Sequence, residues 1–330
     1  MPKKMMMVYS MREFDELPLF QQYADDMGFV LRYTTEKPTL DNLHLARDCP
    51  YLNVITTPVD RSMLTEWKRQ GCEYIVTRTI GYDHIDVGAA GELGIRVANT
   101  PYGPDGVAEY TLLLMLMCLR KIKSIRHRFL GQDFTLKGLM GRELSDMTVG
   151  IVGTGRIGTR LCTMLSGFGC RVLAYAPHPN ETAAQTAEYT DLEQLYALSD
   201  VVSLHVPSAP ETFHMINRES LAQMRDGVIL INTARGSLLD TQALLEGLDC
   251  GKIGGAGLDV IEDEAELYYY DRREELLQNR SLALLNSYPN VVVTHHMAFY
   301  TKRCIETMVR DSLRGAALDA AGQKNPWKIQ

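Results

Sequence analysis

The sequence predicts an α/β fold of two domains, each doubly wound around a largely parallel sheet. Three observations predict it. Short β-branched or aromatic runs alternate with helix-compatible stretches along almost the whole chain. Runs such as Val228-Ile229-Leu230-Ile231 are apolar without alternation, the pattern of strands covered on both faces. The chain has 330 residues, more than the about 250 to 300 at which a single core stops growing, so two cores and a cleft between them are expected.

In chain order, strands are expected at residues 5–9, 29–33, 53–57, 73–77 and 96–98, which form one group. Asn99-Thr100-Pro101-Tyr102-Gly103-Pro104 cannot continue regular structure and is read as a hinge. A helix is expected from Asp105 to about Phe129. Its apolar stretch at 112–119 is far shorter than the roughly 20 residues that cross a bilayer, so it is read as buried. A second group of strands is expected at 148–152, 171–176, 201–206, 228–232, 255–259 and 291–294. The last helix, from Thr301 to about Ala321, comes after that group is complete and is expected to cross back to the first.

Composition bounds the function. With 45% hydrophobic and 23% charged residues, the chain matches an ordinary globular protein rather than a disordered or fibrous one. A net charge of -7 supplies no positive field for nucleic acid or a membrane surface, so the expected partners are small molecules. The seven cysteines are scattered and form no C-x-x-C, which reads as reduced thiols and no metal site. At the start, Arg12, Glu13 and Asp15 come soon after two lysines with no signal-type cleavage site, and the expected compartment is the cytoplasm.

Gly153-Thr154-Gly155-Arg156-Ile157-Gly158 comes directly after an expected strand and opens a helix through Leu161, Met164, Leu165 and Phe168. In that setting the first glycine permits a tight turn, the second lets backbone approach a pyrophosphate, and the third lets helix and strand pack closely. A dinucleotide is the expected ligand. The acidic residue that normally binds the adenosine ribose is missing, because Ala176 stands at the end of the next strand. NAD is the expected cofactor, and NADP is possible because no carboxylate would repel its 2′-phosphate. No Arg or Lys lies in 177–183 to attract that phosphate, and His178 reads as a solvated loop residue.

Three further segments end an expected strand with a chemically unusual residue, at the edge where open α/β sheets gather ligands: Arg235, Glu264 and His296. Each alone has an ordinary explanation, as a helix cap or ion pair, a member of a solvated acidic run, and a satisfied polar residue. Together, in this order and downstream of the glycine loop, they resemble the D-2-hydroxyacid dehydrogenase family. The similar segments are TRTIGYDHID (77–86), PYGPDGVAEYTLLLMLM (101–117), GRELSDMTVGIVGTGRIG (141–158), GFGCRVLAY (167–175), SLHVP (203–207), INTARGSLLD (231–240) and THHMAFYT (294–301). The likeness runs from about residue 72 to 301 and is nearest the D-lactate dehydrogenase branch, including the enzymes of glycopeptide resistance. The family usually has proline before its catalytic histidine; here His295 occupies that place, and alignment through AFYT favours His296.

The resemblance implies a substrate-binding domain of residues 1–101 plus 300–330 and a Rossmann cofactor domain of 102–299, in a homodimer formed through the cofactor domain. It implies that Arg235 grips the carboxylate of a 2-oxo acid in fork geometry, that His296 gives a proton to the ketone oxygen, and that Glu264 orients the imidazole. Asp259 is expected to meet the nicotinamide carboxamide, and Thr154, Arg156, Ile157, His205, Val206, Pro207, Thr233 and Ala234 to contact the cofactor. Tyr102 and Phe299 are expected beside the substrate. The Ile80-Gly81 amides are expected to complete the carboxylate site, with a simple tight turn as the competing explanation. The Tyr268-Tyr269-Tyr270 run reads as rim or as packing. Pyruvate with D-lactate is the first substrate pair, and a longer branched or aromatic 2-oxo acid the second. A reading from another class is an NAD(H)-sensing, corepressor-like binding protein, against which the lack of a basic patch argues.

Overall fold

The structure, a computed structural model, describes residues 3–264 and 267–329. The chain divides into two compact units, Met1–Gly103 with Tyr300–Gln330, and Pro104–Phe299.

The first unit is built on β1 (Lys4–Val8), β2 (Phe29–Tyr33), β3 (Tyr51–Val54), β4 (Tyr74–Thr77) and β5 (Arg96–Ala98), a five-stranded sheet in the order β2-β1-β3-β4-β5. Every pairing is parallel. β3 and β4 are buried along their whole length, because helices cover both faces of a parallel sheet. One face packs Met7, Leu52 and Ile75 on Leu64 and Trp67. The other packs Met6, Val8 and Tyr74 on Val309, Leu313 and Ala316 of the closing helix Lys302–Ala320. That helix is capped by Thr301, whose hydroxyl accepts from the Cys304 N–H, and is tied to β5 by two bonds from Arg96 to Asp319 at 2.8 and 3.0 Å. β3 lies earlier than the apolar pattern predicts, ending at Val54 instead of 57: the chain leaves the sheet ahead of Pro58, which has no N–H to donate.

A charged pair is sealed inside this unit. Arg78 and Glu16 are both fully buried, and Arg78 donates to Glu16 Oε1 at 3.0 Å, to Asn53 Oδ1 at 2.8 Å and to the carbonyls of Tyr9 and Ser10 at 3.1 Å. Every arm of the guanidinium is thereby occupied, the condition under which a buried charge is tolerated.

The second unit is built on β6 (Thr148–Val152), β7 (Arg171–Tyr175), β8 (Glu188–Tyr189), β9 (Val201–Leu204), β10 (Val228–Asn232), β11 (Ile253–Leu258) and β12 (Val291–Val293), seven parallel strands in the order β12-β11-β10-β9-β6-β7-β8. Strand order reverses between β6 and β9, so the connections leaving these two strands diverge to opposite faces and open a crevice at the carboxyl edge. β8, two residues long, is too short for its sequence to carry any periodicity. The helix expected over 105–129 is two helices, Asp105–Leu119 and Ile122–Leu130, broken where Lys121 takes φ 51°. The first is apolar and packs on the sheet through Leu114 and Met115. The second buries no residue, and Lys123 holds it by donating to the carbonyls of Asn286, Tyr288 and Val291 at 2.7 to 2.8 Å.

Burial pushes the Cys72, Cys118 and Cys162 thiols up to about 12, so they stay protonated. Among the described residues no helix is long and apolar enough to cross a membrane.

Replacing Arg78 by Met leaves a buried carboxylate and several backbone oxygens short of donors. A loss of about 3–5 kcal/mol is expected in denaturant unfolding of the first unit, with part of it recovered in the Glu16→Leu/Arg78→Met double variant.

Candidate functional site

The carboxyl edge of the second sheet gathers six loops, placed after β6, β7, β9, β10, β11 and β12. The loop after β6 is the glycine loop. Gly153 takes φ 99°, and a Cβ there would lie 2.6 Å from the His205 carbonyl oxygen; a Cβ on Gly158 would lie 2.0 Å from the Gly153 oxygen. A Cβ on Gly155 meets nothing within 4 Å. Two of the three glycines are therefore required by the fold, while the middle one faces open space at the start of the helix Arg156–Ser166. Exposed N–H groups at a helix N-terminus beside free space fit a pyrophosphate.

Around the loop, Thr154 is buried and its hydroxyl lies 2.6 Å from the Tyr189 hydroxyl on β8, which also accepts from the Asn180 N–H at 2.9 Å. Ala176, just past β7, is half-buried and puts no carboxylate at that position. His205, just past β9, lies 2.9 Å from the Ser203 hydroxyl, and desolvation drives its pKa down to about 4, which keeps the ring neutral. Val206 and Pro207 continue this strand end with increasing exposure.

The loop after β10 is self-capped. Asn232 accepts from the Ala234 N–H at 3.0 Å and donates to the Arg235 carbonyl at 2.8 Å. Thr233 is buried, its hydroxyl 2.8 Å from that of Thr111. Arg235 is half-buried in extended backbone, with one guanidinium nitrogen donating to the Ala234 carbonyl at 2.8 Å. Gly236 lies so close to the next loop that a Cβ would sit 2.1 Å from the Ile261 carbonyl.

The loop after β11 splits its carboxylates. Glu262 turns toward His214 and Thr241, at 2.6 Å from His214 Nε2 and 3.0 Å from the Thr241 N–H. Glu264 turns the other way: Oε2 accepts from the Ile261 N–H at 3.0 Å and Oε1 lies 2.6 Å from His296 Nδ1. Both members of the Glu264–His296 pair are about three-quarters buried, with 22% and 23% side-chain exposure. His295 points elsewhere, exposed and edge-on to Tyr268.

His296 is held in a conformation it would not choose, at φ 56°, where a residue other than glycine costs about 1–3 kcal/mol. Asp259 supplies most of the constraint. It is fully buried. Its carboxylate accepts from Thr294 Oγ1 at 2.5 Å and from the Met297 and Ala298 N–H groups at 2.8 Å, and its carbonyl accepts from the His296 N–H at 2.8 Å. The carboxylate expected to face the nicotinamide is thus engaged by the 294–298 segment. Phe299 is 9% exposed, with its ring 6.2 Å from the His296 ring.

β10 and β12 are two strand spacings apart, about 10 Å, so Arg235 and His296 leave the same edge with β11 between them. In the first unit, the Ile80-Gly81 turn is fixed by its oxygens: Asn99 donates to the Ile80 carbonyl at 2.6 Å and Thr79 to the Gly81 carbonyl at 2.5 Å. Among the described residues neither the Ile80 nor the Gly81 N–H finds a backbone acceptor. Tyr102 is buried in the same unit, 9% exposed.

Residues 112–298 match the model of the D-isomer-specific 2-hydroxyacid dehydrogenase NAD-binding domain. The chain belongs to that family. It is 40% identical over 303 residues to a D-specific alpha-keto acid dehydrogenase of Enterococcus faecalis, covering 92% of this chain and 93% of the relative. It is 39% identical over 302 residues to an aromatic 2-oxoacid reductase of Clostridium sporogenes, covering 91% of each. A D-lactate dehydrogenase structure from Treponema pallidum superposes with a TM-score of 0.87 at 33% identity, over 99% of both chains. The protein is accordingly an oxidoreductase of the D-2-hydroxyacid dehydrogenase type whose second unit is its NAD-binding domain.

Within this family member, sequence reasoning missed the residues that hold the loops rather than those that end them: Asn232, Gly236, Glu262, Tyr189 and Tyr269, the last donating to the His296 carbonyl at 2.8 Å. Two of them left a signal, Gly236 as a glycine next to Arg235 and Tyr269 as the middle of a tyrosine run read as rim or packing. Gly236→Ala is expected to push the Ile261–Glu262 peptide away, lowering kcat by at least about tenfold and stability by about 1–3 kcal/mol, read from steady-state rates and thermal unfolding.

Proposed function

We propose that the protein reduces a small 2-oxo acid to the (R)-2-hydroxy acid with NADH, with pyruvate to D-lactate as the first pair. Residues 102–299 are assigned to the cofactor and residues 1–101 plus 300–330 to the substrate. The observation that carries the reading is the 2.6 Å contact between His296 Nδ1 and Glu264. A carboxylate at Nδ1 fixes the orientation of the ring and leaves Nε2 as the atom that exchanges a proton with the substrate oxygen, as an acid–base group requires. Arg235 is assigned the substrate carboxylate through its planar fork. The Ile80 and Gly81 amides, whose carbonyls are already held, are assigned to the same kind of anion.

When bound, the dinucleotide supplies the hydride. The Gly153–Gly158 loop with Arg156 and Ile157 is assigned its pyrophosphate, and His205, Val206, Pro207, Thr233 and Ala234 its nicotinamide half. Asp259 is assigned a positioning role through the 294–298 segment it holds. A second substrate reading, a longer branched or aromatic 2-oxo acid, is favoured by the likeness to the aromatic 2-oxoacid reductase. Tyr102 and Phe299 are assigned to the substrate's side chain.

Two finer assignments concern the cofactor and the assembly. Without a carboxylate at Ala176 the ribose site does not repel a 2′-phosphate, so NADPH is expected to serve beside NADH. Large apolar side chains are exposed along one segment, Phe129 and Phe134 at 55% and 70%, Leu130, Leu136 and Met140 at 73% to 87%. A patch of that kind fits a partner surface, and a homodimer is proposed.

Oxidation of NADH with pyruvate, 2-oxoisocaproate and phenylpyruvate, with chiral analysis of the product, tests the reaction and ranks the substrates. His296→Asn is expected to lower kcat by about 10²–10⁴-fold, and Glu264→Gln to move the fall of the reduction rate to lower pH; parent-like turnover in His296→Asn defeats the assignment. Ala176→Asp is expected to cut kcat/KM with NADPH at least about tenfold while sparing NADH. Light scattering is expected to give twice the chain mass for the parent and a shift toward the single chain for Phe134→Asp/Leu136→Asp.

A further inference from the structure

The segment that leads from Glu264 to the helix Arg280–Ser287 has no regular structure where it is described, and it contains three consecutive tyrosines near its start. The middle one, Tyr269, is half exposed and takes φ 72°, a left-handed conformation that a bulky residue avoids unless something holds it. Its hydroxyl donates to the carbonyl of His296 at 2.8 Å. The peptide joining His296 to Met297 is therefore gripped at both ends, its oxygen by Tyr269 and its N–H by the Asp259 carboxylate at 2.8 Å. Asp259 sits in the core, but the grip on the oxygen comes from an exposed connection outside the sheet.

We propose that Tyr269 is a positioning residue for His296, locking the left-handed backbone that presents the imidazole to Glu264. The proposal rests on the reading of His296 as the acid–base group. The physical reason is leverage about the N–Cα bond. The His296 N–H is anchored on the Asp259 carbonyl at 2.8 Å, so relaxation of φ from 56° toward negative values swings Cβ, and the ring with it, away from the Glu264 carboxylate. A hydrogen bond on the carbonyl resists that swing. Tyr268 does not share the task, since it is buried and stacks edge-on with His295.

Tyr269→Phe removes one oxygen from a half-exposed ring and leaves the rest of the contact. With NADH and pyruvate, kcat is expected to fall about three- to tenfold, the size of one neutral hydrogen bond. KM for both substrates is expected to stay within about twofold, and the fall of the reduction rate to move to lower pH, as in Glu264→Gln. Added to Glu264→Gln, Tyr269→Phe is expected to move that limb no further. Parent-like kcat and pH profile, or a lowered unfolding temperature with an unmoved pH profile, overturns the proposal. His296→Asn separates the two levels: if it is inactive while Tyr269→Phe behaves as parent, only the positioning role fails, and if it is active the underlying reading fails as well.

Discussion

The second unit depends on a carboxylate placed where a charge is least welcome. Asp259 lies just past β11 in complete burial, between the ends of two neighbouring strands, and is tolerable there because three donors from 294–298 converge on it. Its backbone works in both directions as well: its N–H donates to the Asn232 carbonyl on β10, and its carbonyl accepts from His296 after β12. One residue thus sets three adjacent strand ends against each other. The strained backbone of His296 is a consequence of this arrangement, because a segment with nearly every polar group committed has no cheaper conformation available.

A parallel sheet explains why residues so far apart in the chain share an edge. Each crossover returns the chain to the same end, so all the strands point their carboxyl ends one way, and the loop leaving each strand is collected there. Glycine sets how closely those loops pack. Gly153 and Gly158 allow the first turn to fold on itself, and Gly236 lets the Arg235 loop touch the loop that carries Glu264. The loops that carry Arg235 and Glu264 meet at that backbone contact, although the two residues lie 29 positions apart by number.

Two glutamates two residues apart show how local geometry divides labour. Asp263, at φ 57°, reverses the chain between them, so Glu262 faces His214 and the Thr241 helix start while Glu264 faces His296. One carboxylate anchors the loop and the other meets the imidazole. The two adjacent histidines divide in the same way, His296 turned to Glu264 and His295 left at the surface against Tyr268. Membership of the family says that the chemistry is that of a D-2-hydroxyacid dehydrogenase.

By itself the sequence determined the α/β class, the existence of two strand groups and the glycine loop, and its resemblance to the family singled out Arg235, Glu264 and His296. The first three are local, since apolar runs of strand length and a strand-turn-helix with glycines at fixed spacing are legible within about ten positions, whereas the three polar residues stand out only by their order along the chain. Tertiary structure alone decided the two-residue strand β8, the break at Lys121, the orientation of Glu262 against Glu264, and the work done by Asp259, Gly236 and Tyr269. Each of these depends on a partner distant in the chain, such as the carbonyls that hold Lys123 or the backbone that crowds Gly236, and contacts of that range exist only once the chain has closed on itself.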